Sequence, residues 1–252
     1  MGSLGKVKIF KKIKFAIALC CLAGCGLVEE PTYSLGLVPS SFPLALQGKE
    51  AFVFGFIDDL FKEIGKVERA QFYRIDMNWD NLDLGLKSGL YEGMISSMPP
   101  HLPSLSTYHF SDLFLETGPV LVTPYKSRVH SFKDLSKQRV GVMPHSVAQI
   151  IVEREPMIYI EFFETIAGGF ANLALGAYEG ILAPNLQAMT YVEDLYLGEL
   201  KVAAGPFTDE GLRLVTLTGE HDQLIKRFNR GLKKLKRKGI YKQLLMKWDL
   251  GS

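Results

Sequence analysis

The side chains that could do chemistry in this 252-residue chain are scattered rather than clustered. The five histidines, His101, His109, His130, His145 and His221, lack the tight spacing that pairs two metal ligands on one helix face. Past the N-terminal region there is no glycine-rich phosphate loop, no His-Glu-x-x-His and no Gly-x-Ser-x-Gly. No catalytic residue, metal site or cofactor is therefore expected. The three cysteines, Cys20, Cys21 and Cys25, all lie near the N-terminus, so the remainder has no thiol for a disulfide or a redox site. One loop stands out instead. SMPPHLPSLSTYHFSDLF, residues 97–114, places Pro99, Pro100 and Pro103 just after an apolar, strand-like run. A strand cannot run through Pro-Pro, and a stiffened loop at the end of an element is where binding groups tend to sit.

The N-terminus differs from the rest. Lys6, Lys8, Lys11, Lys12 and Lys14 occur without an acid among them, and FAIALCCLAGCGLV, residues 15–28, carries no charge. That run falls short of the roughly 20 residues a membrane-spanning helix needs. A basic segment, a short apolar one and a small-residue exit describe a secretory signal, with a buried core helix as the alternative. The exit Leu22-Ala23-Gly24-Cys25 resembles the lipobox of bacterial lipoproteins. The resemblance implies a signal over 1–24, an acylated Cys25 and a tether over 25–31. A lipid there would hold the chain at a membrane surface, in the periplasm or cell envelope, without crossing it. Without those five lysines the 29 basic residues become 24 against 27 acidic ones, a formal −3, which gives no reason to expect nucleic acid.

From Thr32 onward, apolar runs alternate with segments of helical period. YSLGLV (33–38), FYRIDM (72–77), EGMISSM (92–98), VLVTPY (120–125), RVGVM (139–143), YIEFF (159–163), EGILA (179–183), LKVAAG (200–205) and LRLVTLT (212–218) read as strands. Ile57, Leu60, Phe61 and Ile64 give a helix stopped at Gly65, residues 81–89 a short one, Ser146 opens one that Pro156 closes, and another lies around 171–175. Leu224, Ile225, Phe228, Leu232 and Leu235 form the stripe of a long helical tail, broken at Gly239. Between residues 222 and 252 stand ten Lys or Arg and two acids, read as the solvated face of that helix. Strands spaced by helices mean an α/β protein with parallel sheets and crossovers.

This order of segments resembles the type 2 periplasmic substrate-binding proteins of polar amino acid ABC transporters, solute-binding protein family 3. The matching pieces are GFIDDL (55–60), NWDNLDLGLKSG (78–89), FSDLF (110–114), SFKDLSKQRVGV (131–142), LGAYEGILA (175–183) and LKKLKRKGIYKQLLMKW (232–248). The resemblance implies two α/β lobes joined by two crossing strands, near 122–125 and 208–211. Lobe 1 would be 32–122 plus 210–252 and lobe 2 would be 123–209, with the solute held between them and closure about the hinge recognised by the permease.

Carried over residue by residue, the family's ligand contacts fall on Phe42, Trp79, Ser97, Met98, Ser104, His145, Ser146 and Pro184. Phe42 and Trp79 would be the aromatic contacts, and Ser146 a lobe-2 hydroxyl that also caps its helix. The family's loop Thr falls on Pro99, its carboxylate-binding Arg on Ser104 and its ammonium-binding Asp on Pro184. Both charged anchors are thus replaced, and a zwitterion buried without counter-charges loses several kcal/mol of hydration. His101, His145, Arg74, Asp76 and Asp58 are candidates to supply the charge.

The resulting expectation is the extracytoplasmic solute-binding lipoprotein of an ABC importer, not an enzyme. It would be a monomer whose partners are a small solute, a permease and, through its lipid, a membrane. The solute would be an amino acid derivative, a small peptide or a related small molecule. The alternative is a sensor or interaction module that keeps the fold without transport. An enzyme would need an acid or base in the cleft, where Ser104 and Pro184 stand.

Overall fold

The computed structural model describes residues 30–38 and 49–251. The signal, Cys25, Phe42 and most of the tether lie outside the described residues. No helix among those described is long and apolar enough to cross a membrane.

The first unit is built on β1 (Thr32–Leu37), α1 (Glu50–Glu68), β2 (Gln71–Asp76), α2 (Trp79–Lys87) and β3 (Gly93–Ser96). β1 pairs in parallel with both β2 and β3. The proline-rich loop is not wholly irregular. It contains α3 (Leu102–Leu105), with Pro103 in its first turn, where a missing N–H costs nothing. Two short strands follow, β4 (Tyr108–Phe110) and β5 (Leu115–Glu116).

The chain then enters a second sheet through β6 (Pro119–Pro124), β7 (Arg139–Val142), α4 (Val147–Val152), β8 (Tyr159–Phe162), α5 (Ile166–Ala174), β9 (Gly180–Pro184), α6 (Asn185–Thr190) and β10 (Leu200–Ala204). It returns through β11 (Gly211–Leu217) and ends in α7 (Asp222–Arg237) and α8 (Ile240–Lys247). The strand orders are β2-β1-β3-β11-β4, with β5 also on β11, and β10-β6-β9-β7-β8.

The sheets are mixed, not purely parallel: β11 runs antiparallel to β3, β4 and β5, and β6 runs antiparallel to β9 and β10. That follows from the double crossing, because a strand that returns from the second sheet re-enters the first from its opposite end. The first crossing also lies earlier than 122–125. All of β6 is paired inside the second sheet, with Val122 opposite Ile181, so the chain passes between sheets at Thr117 and Gly118. The return spans 205–210.

The first core forms because α1 and α7 each carry one apolar stripe. Phe56, Ile57, Leu60 and Ile64 of α1 meet Leu224, Phe228, Leu232 and Leu235 of α7, all at most 1% exposed. Burial stabilises by about 1.5–3 kcal/mol for each such side chain. α1 does not stop at Gly65 but runs to Glu68, with Arg69 in the left-handed conformation as its cap. Gly65 is needed for a different reason: a β-carbon there would stand 2.6 Å from the Ala70 carbonyl oxygen. α5 likewise begins earlier than residue 171, because the Thr165 hydroxyl accepts the Gly168 N–H and caps it.

The cationic tail is partly consumed by pairing. Arg230 and Lys234 clasp Glu68, whose side chain is 1% exposed, and Lys247 pairs with Asp59. Burial alone would raise the Glu68 carboxyl, but the hydrogen bonds from Arg230 and Lys234 outweigh it and hold the group below its ordinary value.

Candidate functional site

In open α/β sheets the loops beyond the carboxyl ends of parallel strands form the crevice where ligands bind. Here those loops carry most of the residues singled out from sequence. After β2 come Asn78 and Trp79, after β3 Ser97 to His101, after β7 His145 and Ser146, and Pro184 is the last residue of β9. Asn78 caps α2, its Oδ1 accepting the Asn81 N–H at 3.1 Å, which fixes the backbone of Trp79 as the first residue of that helix.

The β3 loop is held by its own polar groups. Ser96, buried at the end of β3, accepts the Met98 N–H on its Oγ at 3.1 Å, and Met98 packs against the cluster of Val38, Leu82, Tyr91 and Met94. Ser104 is buried. Its Oγ accepts the His101 N–H at 3.1 Å and lies 3.0 Å from the Pro99 carbonyl and 2.9 Å from that of His101. A hydroxyl has one proton to donate, and here acceptors within the loop already surround it. The His101 ring is likewise engaged, with Nδ1 2.8 Å from the Pro99 carbonyl oxygen.

In the second sheet, Ser146 caps α4. Its Oγ accepts the Gln149 N–H at 3.2 Å and donates to the Met143 carbonyl at 2.6 Å. His145 takes a left-handed conformation, φ 57°, and its N–H donates to Gln149 Oε1. Among the described residues, no hydrogen bond or ion pair joins the Ser97–Ser104 loop to the His145–Ser146 turn.

Arg74 does not supply a free cation. Its guanidinium spans both Asp58 oxygens at 2.8 Å and reaches Asp76 at 2.9 Å, so its charge is spent on two carboxylates and the trio keeps a formal net negative charge. Burial raises the Asp58 carboxyl above its ordinary value despite the pull of Arg74.

The strand crossings hold contacts the sequence did not announce. Asn185, next to Pro184, donates its backbone N–H to the Gly118 carbonyl at 3.2 Å and its Nδ2 to the Glu116 carbonyl at 3.1 Å, tying β9 to the first crossing. Thr117 donates its N–H to the Glu210 carbonyl at 2.9 Å, so the two crossings bond directly. Arg213 faces the same region from the start of β11, 6% exposed. The available signal was an Arg inside an otherwise apolar strand. Among the described residues no group of three or more His, Cys, Asp or Glu could hold a metal ion.

Comparison with known proteins agrees with this layout. The model for bacterial extracellular solute-binding proteins, family 3, matches residues 33–252. The ABC transporter glutamine-binding protein of Bacillus subtilis (strain 168) is 26% identical over 201 residues, 77% of this chain and 72% of that protein. The fold is shared with the L-cystine solute receptor of Neisseria gonorrhoeae in its unliganded open conformation. That match has a TM-score of 0.69 at 16% identity and covers 88% of this chain and 96% of that one. An ancestral cyclohexadienyl dehydratase also shares it, with a TM-score of 0.66 at 17% identity over 86% and 92% of the two chains. The fold alone thus does not choose between binding and catalysis.

Proposed function

We propose, on the premise that this chain belongs to the bacterial extracellular solute-binding proteins, family 3, that it is the extracytoplasmic binding component of an ABC importer. The observation that carries this is the family match over residues 33–252. The solute we infer is an amino acid derivative, a small peptide or a related small molecule. Ser97, Met98, Pro184 and His145 would border it, with Phe42 and Trp79 as aromatic contacts. Ser104 and Ser146 act by shaping their loops, since their hydroxyls already serve backbone groups. No catalysis is proposed. The solute and a permease are the partners, the chain acts as a monomer, and an acylated Cys25 holds it at the membrane.

Thermal melting across a library of amino acids, peptides and amines tests this. A solute present at about a hundredfold excess over its Kd stabilises the folded state by about 2.7 kcal/mol, or about 5–10 °C in Tm for a chain of this size. No shift with any of them would remove the proposal. The absence of the usual charged anchors at Ser104 and Pro184 favours one second reading, a lipid-anchored interaction or sensor module on the same fold. Wild-type insensitivity to every solute would support it.

A further inference from the structure

A solute-binding cleft without its usual cation still needs one if the solute is an acid. β11 carries Arg213 directly opposite Ser96, the last residue of β3, so it lies at the carboxyl end of the first sheet where that sheet meets the second crossing. Alternation sets its direction. Leu212 and Leu214 face the α1–α7 core, while Arg213 shares the face of Val215 with Met94, the side of the sheet on which Ser96 and Met98 lie.

Its side chain is 8% exposed, yet its compensation is thin. The guanidinium makes two hydrogen bonds, both to one residue: to the Asp209 carbonyl at 2.9 Å and to Asp209 Oδ2 at 3.1 Å. Asp209 itself is 72% exposed, so solvent screens its charge. Of the five N–H donors a guanidinium offers, three keep no partner among the described residues. Among the described residues, buried Lys49 likewise bonds one residue, the Asp249 carbonyl and carboxylate, whereas both oxygens of buried Glu68 are occupied, by Arg230 and Lys234. Burying a charge costs several kcal/mol unless it is fully paired. Arg213 has the partial pairing of a group held ready for another carboxylate, and its planar fork suits one.

We propose that Arg213 receives a carboxylate of the solute, in the part that Ser104 does not play, with Asp209 as its resident partner when the cleft is empty. This rests on the solute-binding reading above. The test titrates the full chain with L-amino acids and short peptides as free acids and as C-terminal carboxamides. The wild type is expected to bind its best acid about ten- to hundredfold tighter than the amide, the difference a charge-assisted hydrogen bond makes. Arg213→Met is expected to lose that difference while leaving amide binding within about threefold.

Should Arg213→Met fail to fold, Asp209→Asn decides. Freed from its resident carboxylate, Arg213 would bind the acid several-fold tighter, and unchanged acid binding would overturn the proposal. If the wild type binds a solute but acid and amide bind alike, or a folded Arg213→Met keeps the preference, only the role of Arg213 falls. If the wild type binds nothing, the solute-binding reading falls and takes this role with it.

Discussion

Trp248 lies flat against the backbone of Gly55: a β-carbon built on Gly55 would stand 2.1 Å from Cη2 of the indole. The ring is locked there because its Nε1 donates to Asp59 Oδ2 at 2.8 Å, one turn further along α1. The C-terminal end of the chain thus closes over its first helix. Gly55→Ala must displace either the ring or the helix, an overpacking cost of about 1–3 kcal/mol. The expected fall in Tm is about 2–10 °C, with solute affinity of the folded protein unaltered. An unchanged Tm would mean the indole moves aside freely.

Glu68 contributes to the acid limb of the stability, alongside other depressed carboxylates such as Asp59 and Glu92. Its folded-state pKa lies below the ordinary 4.5, because hydrogen bonds from Arg230 and Lys234 overcome the effect of burial. A depressed carboxylate contributes stability that is present above the unfolded value and is lost as pH falls through the folded one. Arg230 is 54% exposed, which screens the pair, so Glu68→Gln is expected to cost about 1–3 kcal/mol at pH 7. Denaturant midpoints of variant and wild type should draw together as pH falls from the ordinary 4.5 through the depressed folded-state value. A constant gap across that range would assign the loss to packing rather than charge.

Much of the scaffold was legible because its signals are local. The stripe from Leu224 to Leu235 and the period-3.6 run of α1 specify two helices, and Ser146 caps α4 as its position suggested. β4 and β5 were missed because three and two residues are too short to show alternation; β11 alone recruits them. Gly65 looked like a helix end, yet its role is the close approach of Ala70, a tertiary contact. Arg213 carried no such local signal. In LRLVTLT it shares its face with Val215 and Leu217, and a lone charge in an apolar run does not show from sequence whether it is buried.

The two crossings touch at Gly118 and Thr208. A β-carbon on Gly118 would lie 2.3 Å from Thr208 Oγ1 and 3.0 Å from its carbonyl oxygen. Gly118→Ala should therefore spread the crossings and cost about 1–3 kcal/mol. The worse of the two clashes is with a side-chain atom, so adding Thr208→Ala should restore most of that loss, a coupling readable in a double-mutant cycle. If the double variant is no more stable than Gly118→Ala, the carbonyl contact alone sets the spacing of the two crossings.

Placing an Arg at position 104 would put a guanidinium where the resemblance expects the carboxylate grip. The geometry argues against recovery of binding. Ser104 is 7% exposed, and its Oγ closes the turn of α3 by accepting the His101 N–H. Ser104→Arg removes that cap, worth about 1 kcal/mol, and forces a long charged side chain out of a site sized for a hydroxyl. Ser104→Ala isolates the first effect and should cost only the cap. The expected result for Ser104→Arg is a lower Tm than Ser104→Ala and no new affinity for any L-amino acid. If the variant instead gained carboxylate-dependent binding, the loop would be able to repack around a surface-pointing Arg.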